Sequence, residues 1–142
     1  MFNPSRDQAR RFFIEAWRKH REGKLMSPME AMTANVISMH PEYHAMLEAG
    51  DAAIERDWTP EMGESNPFLH LSLHIAIEEQ LSIDQPPGIR AAFDRQMARL
   101  GERHDALHIL LECLAEQIWS SQRHGTPLDS QAYLSAIENT LR

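Results

Sequence analysis

Residues 68–83 read FLHLSLHIAIEEQLSI, and the reading of this stretch decides the fold. Phe68, Leu69, Leu71, Leu73, Ile75, Ile77, Leu81 and Ile83 are distributed around a helical wheel instead of forming one stripe. A helix apolar on nearly every side belongs at the centre of a helical protein. Asn66-Pro67 just before it is a helix start signal. Set into this apolar surround are His70, His74 and Glu78. Residues four apart on a helix are neighbours on one face, rising about 6 Å per step.

The same spacing occurs twice more. HDALHILLE gives His104, His108 and Glu112, and HPEYHAMLE gives His40, His44 and Glu48. With eight histidines in the chain, chance placement predicts roughly 0.04 copies of His-x3-His-x3-Glu, so composition does not account for three. The third copy is also set among apolar residues: Leu107, Ile109, Leu110, Leu111, Leu114 and Ile118. The first is more polar, with Glu42 and Tyr43 beside it and Pro41 wedged between its histidines.

Buried carboxylates need compensating charge, because an unpaired one costs several kcal/mol. Lys and Arg are scarce on the two apolar helices, apart from Arg103 and Arg123 at the ends of the second. Metal is the simplest source of the missing positive charge. Three glutamates bring three negative charges and two divalent ions four positive ones, which favours a dinuclear centre. Imidazole suits iron, zinc, copper and nickel, and added carboxylate moves the preference toward iron or manganese. Sites of this type are built between inward-facing side chains of helical bundles. The expected ligands are His40, His44, His70, His74, His104 and His108, with Glu48, Glu78 and Glu112 bridging or hydrogen-bonded behind the histidines. Two iron ions are the first expectation, with manganese and zinc as alternatives. For any single buried histidine the ordinary alternative is a hydrogen bond to backbone. Cys113 and Trp119 read as core residues.

The rest of the chain is read as helix and turn. Ala9, Phe12, Phe13, Ala16 and Trp17 form one stripe on a helix over about residues 5–21, ended by Gly23. Ser27-Pro28-Met29-Glu30 is a capping box with proline at the first helical position. Pro41 either kinks this second helix or starts another, and helical pattern continues to about Asp57. WTPEMGES (residues 58–65) reads as loop, followed by helices at about 66–83, 89–100 and 102–124. Asp129 or Ser130 then caps a short last helix. If the 89–100 helix carries the chain back, the helices bearing His70 and His104 run parallel with their ligands at equal heights. The fold class is all-α: one domain over 1–142, a bundle of about five to six helices with the metal site between core helices.

A formal charge of −7 argues against a nucleic-acid-binding surface. The N-terminal Arg6, Arg10, Arg11, Arg18, Lys19 and Arg21 interleave with acidic residues and read as a solvated helix face. A single cysteine, no signal-like apolar run near Met1 and no ~20-residue apolar stretch lead to the expectation of a cytoplasmic protein with no membrane partner.

Residues 66–95, NPFLHLSLHIAIEEQLSIDQPPGIRAAFDR, and 1–23, MFNPSRDQARRFFIEAWRKHREG, resemble a family of small uncharacterised bacterial proteins classed as a domain of unknown function. That resemblance covers essentially the whole chain and implies bacterial origin without an activity. The ladders more loosely resemble haemerythrin-like oxygen-binding and di-iron bundles, which use five histidines and two bridging carboxylates. On that resemblance His74 with Glu78 plays the HxxxE pair and His104 with His108 the HxxxH pair. The chain departs from it by offering six histidines and three glutamates and lacking the HxxxxD element, a set that would fill two octahedral ions completely. The functional expectation is a metal-binding protein that binds or reacts with dioxygen or peroxide, or senses redox state. The alternatives are a structural zinc protein and a metal-free interaction protein. No nucleophile–base triad signature or phosphate-binding loop was found.

Overall fold

The structure, a computed structural model, describes residues 4–58 and 66–141. Among the described residues there are eight α-helices, one 3-10 turn and no strand. The helices are α1 (Pro4–Glu22), α2 (Pro28–Ser38), α3 (His44–Glu48), α4 (Asp51–Glu55), α5 (Pro67–Ile83), α6 (Ile89–Leu100), α7 (Arg103–His124) and α8 (Ser130–Asn139). The all-α expectation holds. The chain divides into two compact units, Met1–Ile75 and Ala76–Arg142, with the boundary inside α5.

In the first unit, α1 buries Phe13, Ala16 and Trp17, while Phe12 lies at the stripe's edge, 36% exposed. Phe13 and Trp17 share a core with Val36, Ile37, Leu47, Ala53, Phe68 and Leu71. α2 starts at the capping box: Ser27 Oγ accepts from Glu30 N–H, and the Glu30 carboxylate accepts from Ser27 N–H at 2.9 Å. Arg10 departs from the expected solvated face. It is 5% exposed, and its guanidinium donates to the Ile54 and Arg56 carbonyls at 2.8 and 2.7 Å. These carbonyls close α4, and the charge also lies over the Trp58 and Phe68 rings.

Pro41 breaks the helix and does not kink it. α2 stops at Ser38, His40 has non-helical φ −126° and ψ 69°, and Pro41 opens a 3-10 turn over Pro41–Tyr43. The helical pattern expected to run on to Asp57 is divided again at Gly50, whose φ of 67° no side-chain-bearing residue adopts cheaply. The expected loop at 58–65 lies, beyond Trp58, outside the described residues.

In the second unit α6, α7 and α8 bury Ile89, Ala92, Leu107, Leu110, Leu114, Tyr133 and Ile137. Gln96 is fully buried and is satisfied by donating to the Ile137 carbonyl at 3.0 Å and Thr140 Oγ1 at 2.6 Å. The Tyr133 hydroxyl donates to Gln80 Oε1 at 2.8 Å. Asp129 caps α8 by accepting from Ala132 N–H. Cys113 is buried, as expected, and burial pushes its thiol pKa up. Trp119 is not core: it is 57% exposed, with the Arg123 guanidinium over its ring.

Candidate metal centre

The first histidine ladder does not lie on one helix. His40 follows the end of α2, and His44 opens α3. The break turns both imidazoles back onto the last carbonyls of α2. His40 Nδ1 donates to the Val36 carbonyl at 2.8 Å, and His44 Nε2 donates to the Ile37 carbonyl at 2.9 Å. These two carbonyls already accept from the Met39 and His40 N–H groups at 3.1 and 2.9 Å, and each ring adds a second, side-chain donor at the helix end. A carbonyl only accepts, so the neutral His40 ring carries its hydrogen on Nδ1 and its lone pair on Nε2. Metal-ligating histidines are prepared in this way, with the tautomer fixed by a bond from the other nitrogen. His44 is held elsewhere, tilted on Trp17 with ring centroids 4.3 Å apart.

His40 is 1% exposed and His74 fully buried. Their ring centroids are 4.6 Å apart, edge to face. His70, one turn before His74 on α5, is half-buried and meets both rings: it lies 5.1 Å from His40 and 4.8 Å from His74. The Nε2 atoms of His70 and His74 are 3.2 Å apart, so one ring donates and the other accepts. Tyr43 stacks parallel on His40, centroids 5.5 Å apart. Burial is the main cause holding the Tyr43 hydroxyl pKa above its ordinary value, with the Glu42 charge adding to it.

On α7, His104 and His108 are both half-buried, with ring centroids 4.3 Å apart. Four histidines form one group: a ring nitrogen from each of His40, His74, His104 and His108 lies within 4.8 Å of those from the other three. This is a buried four-histidine group that could hold a metal ion. His70 adjoins it, and His44 is outside it.

None of the three expected glutamates is in the group. Glu48 is exposed, accepting from Trp17 Nε1 at 3.4 Å and lying 3.8 Å from Arg21. Glu78 is gripped by Arg103 through two bonds, 2.9 and 3.1 Å. Glu112 is exposed. The positive charge that sequence reading found missing around Glu78 thus comes from Arg103, at the start of α7. Its forked guanidinium matches a carboxylate, and this bond to Glu78 raises the Arg103 pKa. In the sequence Arg103 shows only as a basic residue at a helix end.

A family model described as Domain of unknown function (DUF1841) matches residues 5–139. The chain belongs to the DUF1841 family. No curated protein and no solved structure matches it. The looser resemblance to haemerythrin-like proteins therefore has no homologue in its support. DUF1841 membership carries no activity with it, so function must be argued from the four histidines. Among the described residues no helix is long and apolar enough to cross a membrane.

Proposed function

We propose that this DUF1841 protein binds a single divalent transition-metal ion through His40, His74, His104 and His108. The observation that carries the reading is the convergence of four imidazole nitrogens within 4.8 Å. A four-coordinate ion with metal–nitrogen bonds of about 2.0–2.1 Å holds its ligand atoms about 3.3–3.4 Å apart. Closing the group onto an ion takes movements on the order of 1 Å, within reach of imidazole side-chain torsions. The Val36 carbonyl supports His40 as a ligand by fixing its tautomer.

The single ion replaces the dinuclear centre expected from sequence. Two ions were favoured because three glutamates had to be neutralised, and Glu48 and Glu78 already have arginine neighbours. Without carboxylates the case for manganese also falls away. Iron(II), zinc, nickel and copper(II) all accept an imidazole donor set. Iron or copper would add one-electron chemistry and the expected reactivity toward dioxygen or peroxide. Zinc would add folding energy and Lewis acidity only.

Elemental analysis of protein purified without chelator tests the reading, with visible spectra recorded alongside. The expected result is one ion per chain, lost on His74→Ala and on His108→Gln and retained on His44→Gln. Two irons per chain would restore the dinuclear reading. Absence of metal after anaerobic loading with iron, zinc, nickel and copper would end the proposal.

A further inference from the structure

We propose that His70 is the positioning residue of the centre, holding His74 in the tautomer that ligates; the inference rests on the metal reading above. His70 and His74 occupy successive turns of α5, and their Nε2 atoms lie 3.2 Å apart. One hydrogen lies between these two nitrogens, and its owner decides whether a neutral His74 can bind an ion. Were His70 the donor, the His74 Nε2 lone pair would be taken and its ring hydrogen would sit on Nδ1, leaving neither nitrogen for metal. With His74 as the donor, the hydrogen sits on Nε2 and the Nδ1 lone pair is the ligand. His70 is then the acceptor and carries its own hydrogen on Nδ1.

A metal-ligating histidine hands its other N–H to an acceptor that fixes tautomer and ring orientation, and losing that acceptor lowers metal affinity by about 10–100-fold. The Val36 carbonyl serves His40 in this way. His70 serves His74. The two arrangements are complementary: His40 is bonded through Nδ1 and offers Nε2, whereas His74 is bonded through Nε2 and offers Nδ1. Both offered atoms are buried. The His70 ring is set edge to face against two others, His40 at 5.1 Å and Tyr43 at 6.0 Å. Its role matches its place beside the four-histidine group and not within it. The same spacing thus supplies two ligands on α7, and on α5 one ligand with its holder.

The test uses the full chain with isotope-labelled histidine, loaded with a spin-active cadmium isotope whose coupling to nitrogen identifies each bound atom. The expected result is coupling to His74 through Nδ1 and to His40 through Nε2, and none to His70. Coupling to His70, or to His74 through Nε2, overturns the proposal and leaves a metal site standing. Coupling to none of the histidines removes the metal reading and this inference with it. Substitution supplies the second arm, read as zinc affinity in competition with a chromophoric chelator. His70→Gln keeps an acceptor oxygen near the place of Nε2 and should bind zinc nearly as the native chain does. His70→Leu fills the space without an acceptor and should bind about 10–100-fold more weakly. Equal affinity in the two variants overturns the positioning role, whether both keep the ion or both lose it. The cadmium arm is read on the native chain, so it decides the tautomer even where a variant folds poorly.

Discussion

His40–Glu48 and His104–Glu112 carry the same residue types at the same spacing, yet the chain uses them differently. The second set lies on one uninterrupted helix, α7, and presents His104 and His108 side by side. The first is divided between the end of α2, a 3-10 turn and α3. Its imidazoles cap carbonyls, and only His40 also reaches the four-histidine group. On α7 spacing alone places the two histidines. After α2 a helix end and a proline do so, and a hydrogen bond to the Val36 carbonyl holds His40 in place.

The largest predicted effect tests whether the two sets meet at one ion. A metal ion at a hundredfold excess over Kd stabilises the native state by about 2.7 kcal/mol, a rise in Tm of roughly 8–10 °C for a chain of this size. His108→Gln should abolish this increment and leave the chelated protein's melting curve unchanged. A full metal-induced shift in that variant would separate α7 from the site.

His40→Gln sharpens the comparison. It should abolish the metal increment as His108→Gln does, and in addition lower the stability of the chelated protein by about 1 kcal/mol, because the bond to Val36 is lost. His44→Phe should cost a similar amount while keeping the ring on Trp17, and it should leave metal binding intact. Urea denaturation with and without chelator separates these results. Equal behaviour of His40→Gln and His108→Gln in chelator would refute the capping role.

Much of this was legible because it is local. The Ser27 box, Asn66-Pro67, Asp129 and the glycines at 23, 101 and 125 mark helix ends within a few residues of themselves. Their signals were read within a residue or two of the observed boundaries. The convergence of His40, His74, His104 and His108 was legible only as recurrence, which marks nine residues alike where the geometric group holds four. Spacing says which residues share a face, not which face meets a partner. The three glutamates were assigned to metal because no nearby basic residue was apparent, but Arg103 reaches Glu78 across the chain. Pro41 allowed a kink or a break. The chain breaks there, and His40 and His44 add side-chain donors to the Val36 and Ile37 carbonyls at the end of α2. Arg10 looked like one more solvated arginine, and nothing local shows that α4 would need its guanidinium.

Arg103→Met tests that reassignment of charge. Glu78 is 16% exposed in its side chain and would lose both donors, a loss of about 1 kcal/mol given that Arg103 itself is 46% exposed. Glu78→Gln/Arg103→Met together should recover part of it, as expected for a pair. A measured change in the single variant indistinguishable from zero would mean that the pair is only a surface contact.

The smallest effect lies at the other end of α2, where the cap is charged rather than aromatic. The Lys19 ammonium, and then the Ser27 N–H, hold the Glu30 pKa below its ordinary value. A carboxylate whose pKa is depressed on folding contributes stability that is fully present above its unfolded pKa, about 4.3, and that is lost as pH falls through the lower folded value. Gln at this position still accepts from Ser27 N–H but carries no charge to pair with Lys19. Glu30→Gln should therefore be destabilised at pH 7 by a margin that shrinks as the pH is taken below 4, until the two proteins melt together. Glu15, Glu22 and Asp84 also have depressed pKa values, but they are common to both proteins and drop out of the difference. A margin that stays constant down to acid pH would assign the box to hydrogen bonding alone. Both ends of α2 would then be capped by geometry without charge, and the distinction between them would reduce to which side chain supplies the partner.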